Sequence, residues 1–168
     1  MISSIENEPI VARIREWCFT QKSERLDDHN LFQDLLVNLL RENGWYAFKE
    51  HELEKYPKLN ALTKEINERR GFIDVCAFAH NKKLVIEYDS TTQLRSKSIC
   101  KLFWSDADFP VGIVRGKRGK PLRFENIAKI RRIGRDYGIT GKRIYLIIIE
   151  NKIAEWLVFE EQLKPKEA

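Results

Sequence analysis

Apolar positions along the first forty residues recur at three- and four-residue spacing, the repeat of an amphipathic helix. Ile5, Ile10, Val11, Ile14, Trp17 and Cys18 form one such stripe. Leu31, Leu35, Leu36, Leu39 and Leu40 form a second, with Asp27 or Asp28 placed to cap it and Gly44 to stop it. From Trp45 to Leu53 the pattern alternates, which predicts a strand. Residues 54–70 are polar, contain a proline, and predict a long loop with room for a short helix.

Two apolar runs follow, Gly71–Ala79 and Leu84–Asp89, separated by His80-Asn-Lys-Lys83. They predict a β-hairpin. Helical spacing resumes at Leu94, Ile99, Leu102 and Phe103, and Phe109–Val114 predicts a short buried strand. Beyond the loop 115–123 come a helix near Glu125–Tyr137 and a second hairpin, Arg143–Ile149 with Ile153–Phe159. The order α, α, β, β, β, α, β, α, β, β predicts one α/β domain over 1–168 with a mixed sheet flanked by helices.

Composition narrows the class. The chain has 168 residues, 43% hydrophobic and 33% charged, enough for one sizeable core and too apolar for a disordered chain. No run approaches eighteen apolar residues and no secretory signal opens the chain, so a membrane span is not expected. Cys18, Cys76 and Cys100 lack CxxC spacing and read as free thiols in a reducing, cytoplasmic setting. Charge is unevenly spread. Arg95 through Arg143 holds 14 Lys or Arg against 4 Asp or Glu, which points to a polyanionic partner.

Candidate chemistry sits in the central hairpin. Asp74 interrupts an apolar strand, and Glu87 and Asp89 close the next. Carboxylates in buried strands are costly unless paired or bound to metal. Glu87 and Asp89, two apart, share a face. A two-residue turn at His80-Asn81 would set Asp74 opposite Glu87, and one at Asn81-Lys82 would set it opposite Asp89; either gathers three carboxylates on one face. A hard divalent cation, Mg²⁺ or Mn²⁺, would offset their repulsion.

The stretch Gly71-Phe-Ile-Asp74, eleven intervening residues, then Ile86-Glu87-Tyr88-Asp89, resembles the PD-(D/E)XK nuclease superfamily, the restriction-endonuclease-like fold. The resemblance covers about residues 28–116 and implies an α-β-β-β-α-β core, with the basic loop and helix 115–137 and the hairpin 143–160 appended. It implies a metal-dependent nuclease acting on DNA, with RNA and a homodimer left open. Asp74, Glu87 and Asp89 would be metal ligands and Glu50 the upstream carboxylate, ahead of Glu42 and Glu52. Asp89 stands where the family usually has Lys. Relatives of this Glu-x-Asp type take their basic group from the next helix, which here offers Lys97 and Lys101. Lys97, nearer the strand end, is the favoured one.

Nucleic acid would be gripped by Arg95, Arg115, Lys117, Arg118, Lys120, Arg123, Arg131 and Arg132, with Lys129 and Arg135 beside them. Two other readings compete: a nuclease-fold protein that binds nucleic acid without cutting it, and a protein-interaction or immunity module. The histidines His29, His51 and His80 have no metal-ligand spacing, and no phosphate-loop motif is present.

Overall fold

A computed structural model of the chain describes residues 8–59 and 66–160. Three helices come first: α1 (Pro9–Phe19), α2 (Ser23–Asp27) and α3 (His29–Glu42). Strands β1 (Tyr46–Leu59), β2 (Ile66–Ala79) and β3 (Lys82–Asp89) follow, then α4 (Ser96–Trp104), β4 (Phe109–Val114), α5 (Arg123–Asp136), β5 (Lys142–Ile148) and β6 (Ile153–Phe159). Ile5 of the first predicted stripe lies outside the described residues. The short α2 adds to the expected order; its single apolar anchor, Leu26, is too little for a periodic signal.

The strands form one open six-stranded sheet in the order β1-β2-β3-β4-β5-β6. β3–β4 and β4–β5 are parallel, and the other neighbours are antiparallel. Both parallel crossovers step the same way across the sheet. Right-handed connections therefore put α4 and α5 on one face. The opposite face is left for α1–α3.

Two apolar layers result. Leu84, Ile86 and Tyr88 of β3 pack with Ile14, Phe32, Leu36 and Leu40 on the α1–α3 side. Val85 of β3 packs with Ile99, Leu102, Phe103, Ile130 and Ile133 on the α4–α5 side. Asp28 caps α3 by accepting the Leu31 N–H at 3.0 Å, as its position before the leucine stripe predicts. Among the described residues no helix is long and apolar enough to cross a membrane.

The expected loop over residues 54–70 needs correction. Residues 54–59 and 66–70 continue β1 and β2 as strands, and residues 60–65 lie outside the described set. The ladder β2–β3 ends at Val75–Ile86, so residues 66–74 pair with β1 alone. A two-stranded extension with no third neighbour carries no obligatory apolar alternation, which is why it reads as loop. Pro57 is tolerated because β1 is an edge strand, where one side of the backbone needs no partner.

Candidate functional site

The central hairpin turns at His80-Asn81. Ala79 pairs with Lys82 and Val75 with Ile86. His80 and Asn81 have φ of 50° and 61°, the pair of left-handed conformations that a type I′ turn requires. Of the two registers the sequence leaves open, this one brings Asp74 to Glu87.

At Asp74 the sheet departs from regularity. Ile73 packs with the α4–α5 layer and Val75 with the α1–α3 layer, although residues two apart on a flat strand share a face. On β1, Lys49 pairs with Val75 and His51 with Ile73; Glu50 between them has φ of 55°. A left-handed glutamate inside a strand is a strained conformation of the kind that clusters at functional sites. The kink ends the β2–β3 ladder, and Asp74 takes over from the backbone: its Oδ2 accepts the Tyr88 N–H at 2.8 Å.

Glu87 is 1% exposed and lies next to Asp74. Burial, and then the charge of Asp74, push its carboxyl well above the usual range, while Lys101 pulls the other way. The Lys101 ammonium touches Glu87 Oε1 as an ion pair, and its aligned hydrogen bond goes to the Phe72 carbonyl at 2.7 Å. That leaves Glu87 Oε1 without a geometrically formed hydrogen bond. Room for α4 to lie this close comes from Gly112, the neighbour of Glu87 on β4. A Cβ there would stand 3.2 Å from Leu102 Cδ1 of α4 and 2.6 Å from Leu94 Cδ1 just before the helix.

The structure thus sets Lys101, and not the favoured Lys97, against the carboxylates; Lys97 is exposed. Helix α4 runs back antiparallel to β3. Glu87 lies two residues short of the strand end, about 6.6 Å, and one helical turn is about 5.4 Å. Moving back one turn from Lys97 reaches Lys101, level with Glu87.

Asp89 goes elsewhere. Its Oδ1 accepts Arg95 Nε at 2.7 Å and its Oδ2 the Arg95 N–H at 2.9 Å. Asp89 is buried, so these two bonds and the guanidinium charge compensate it fully. The expected set of three carboxylates is not assembled: among the described residues no three His, Cys, Asp or Glu side chains gather to hold a metal ion. Glu50, Glu42 and Glu52 are all exposed.

One neighbour of the site carries almost no sequence signal. His29, in the first turn of α3, puts Nε2 3.6 Å from Asp74 Oδ2 and 3.0 Å from Gln33 Nε2. Its only mark in the sequence is the position after a helix cap, with Gln33 four residues on.

The basic residues divide by position. Lys117, Arg118 and Lys120 are exposed on the β4–α5 loop, at the same end of the sheet as Asp89. Arg131, Arg132 and Arg135 are exposed along α5. Arg95 and Arg123 are engaged by Asp89 and Glu155, and Arg115 by Asp27 and Glu150.

No family model, curated protein or solved structure matches this chain.

Proposed function

We propose that this protein is a metal-dependent nuclease that hydrolyses phosphodiester bonds in DNA, built on a restriction-endonuclease-like core. The observation that carries the reading is the meeting of Asp74 and Glu87 at a kinked strand end with a buried lysine beside them. The run α3-β1-β2-β3-α4-β4 has the element order of that core.

The residues fit a hard divalent cation. Two adjacent carboxylates repel each other, and the Lys101 ammonium on Glu87 Oε1 offsets only part of the burial and repulsion that Glu87 carries. Mg²⁺ is commonly held by one or two carboxylates, its remaining positions going to water and substrate phosphate. Asp74 and Glu87 would hold it, and it would supply Lewis-acid stabilisation and an acidified water. The chain's own residues do the rest. The Tyr88 N–H fixes one oxygen of Asp74, and Lys101 holds Glu87. Lys101 also places a positive charge beside the site where the phosphate gains negative charge as water adds and the P–O bond breaks. The exposed cations of the β4–α5 loop and α5 hold the strand by its phosphates.

One observation favours a second reading, a nuclease-fold protein that binds nucleic acid without cutting it: Asp89 is consumed by Arg95. Plasmid, single-stranded circle and RNA incubated with Mg²⁺, Mn²⁺ or EDTA decide between the two. Cleavage that needs metal and vanishes in Asp74→Asn and Glu87→Gln is the expected result. Binding without cleavage in any metal selects the second reading, and cleavage unchanged in both variants overturns the site.

A further inference from the structure

At the carboxyl ends of β3 and β4 the surface opens into a cleft of about 440 Å³ between α2, the loop after β3 and the loop after β4. Ser23, Ser90 and Thr91 bring hydroxyls to it, and Arg115, Lys117 and Arg118 bring cations. Glu150 is the one acid among its lining residues. Resting on the nuclease reading above, we propose that this cleft is a phosphate subsite. It takes a phosphoryl oxyanion of the bound strand at a fixed distance from the carboxylate pair.

Three features separate it from an ordinary basic surface. First, the loop is built. Asn151 donates its amide to the Lys117 and Lys120 carbonyls, and the Gly116 N–H donates to the Thr91 carbonyl at 3.0 Å. Gly116 has φ of 77°, and a Cβ there would stand 2.6 Å from Asn151 Oδ1 and from Ile148 Cγ2. The Arg115–Arg118 segment is therefore positioned before any ligand arrives, which lowers the ordering cost of binding.

Second, Arg115 already grips an anion. The Asp27 carboxylate is paired with its guanidinium, and Asp27 is itself 68% exposed. The contact is a single one, Nη1 to Oδ1, with the Nε side of the guanidinium 3.9 Å from Glu150 Oε1, and a phosphate oxygen can accept from the same Nη1. Asp27 acts as a stand-in that a phosphate would displace.

Third, the cleft and the carboxylate pair are joined by one short segment. Asp27 reaches Arg115, Asp28 caps α3, and His29 reaches Asp74. Along β3, Ser90 lies three residues beyond Glu87, about 10 Å. The subsite would set which phosphate sits at the carboxylates, a positioning role and not a chemical one.

The test is run in EDTA, so that it needs no cleavage. Inorganic phosphate is titrated into the full chain, with sodium chloride as the ionic-strength control, while backbone amide shifts are followed by NMR. Saturable shifts at Thr91, Gly116 and Lys117 are expected. Asp27→Asn should tighten phosphate about two- to fivefold, the worth of an exposed ion pair. Arg115→Gln should weaken it about tenfold or more. Asp106→Asn makes the same charge change before β4, at the other end of the sheet, and should do neither. An oligonucleotide bound equally well with and without a terminal phosphate assigns the subsite to an internal diester, and a marked preference for the phosphorylated form assigns it to a strand end. Absence of saturable shifts, or equal tightening by Asp106→Asn and Asp27→Asn, overturns the proposal. Because Asp27 is on the surface, its variant keeps the test valid if Arg115→Gln fails to fold. Metal-dependent cleavage without these shifts removes only the subsite, and the shifts without cleavage remove only the nuclease reading.

Discussion

Replacing Lys101 by methionine should destabilise the metal-free protein at pH 7, by at most about 3.5 kcal/mol, and by much less at pH 5. Lys101 is 6% exposed and Glu87 1%, so the variant leaves a buried carboxylate with Asp74 for a neighbour and no cation. Such a group does not stay charged at any cost; it takes a proton. Protonating a carboxyl of ordinary pKa 4.5 at pH 7 costs 2.5 pH units at about 1.4 kcal/mol each, which caps the penalty at about 3.5 kcal/mol, and the wild type already carries part of it because its Glu87 carboxyl is raised even with Lys101 in place. The sign follows from the direction of the shift. The carboxyl's folded pKa lies above its unfolded value, so the native state holds the extra proton. Stability is fully present below about pH 4.5 and is lost as pH rises towards the folded pKa. The wild type has the same slope in weaker form, since Lys101 opposes the shift. Urea denaturation at pH 5, 6 and 7 in EDTA measures this directly. The double variant Lys101→Met with Glu87→Leu should recover most of the loss, because an apolar pair replaces a buried ion pair at little cost. An equal loss at pH 5 and 7, or strictly additive single effects, would mean that Glu87 does not take up a proton when Lys101 is removed.

Other consequences are open to measurement. Tyr88→Phe removes a buried hydroxyl that donates to the Leu26 carbonyl at 2.6 Å and should cost about 1–2 kcal/mol in the same denaturation assay. Charge reversal at Arg118 and Lys120 should weaken nucleic-acid binding alike for all sequences and flatten its salt dependence by about 0.9 for each phosphate no longer neutralised; a sequence-selective loss would mean that the loop reads bases. Asn151→Ala removes no charge, yet it frees the loop it pins and should weaken oligonucleotide binding severalfold in anisotropy titrations. In single-turnover cleavage at saturating enzyme, Lys101→Met should be slowed by orders of magnitude and Lys97→Met should match wild type, the opposite of the order expected from strand-end proximity alone.

Most elements are legible in the sequence because one-sided burial writes itself into spacing. α3 carries Leu36, Leu39 and Leu40 of its stripe to the core together with Phe32 and Val37, while Leu31 at the start of the stripe is exposed; β3 and β4 are apolar on both faces because helices cover both. Where a segment has fewer neighbours, the signal fades. The outer halves of β1 and β2 have only each other and read as loop. α2 is held by Leu26 and by the Tyr88 hydroxyl on its backbone, interactions that leave no period.

The candidate site is legible to the level of which residues, and not of which pairs. Turn chemistry at His80-Asn81 carries the register, and the register carries Asp74 to Glu87. Parity alone then predicts that Asp89 joins them. It does not, because parity describes faces and says nothing about competition. Arg95 begins the turn into α4, and its guanidinium and backbone N–H both reach Asp89 from a segment fixed by Asn126, which accepts the Leu94 N–H at 3.1 Å. The carboxylate at the strand end is thereby spent on closing the β3–α4 corner. The one behind it is left to the helix, whose antiparallel return offers whichever residue comes level with Glu87. That residue is Lys101. A lysine missing from the strand and a lysine present on the helix are thus parts of one geometry: the corner that takes Asp89 also sets how far along α4 runs before it passes the carboxylate pair.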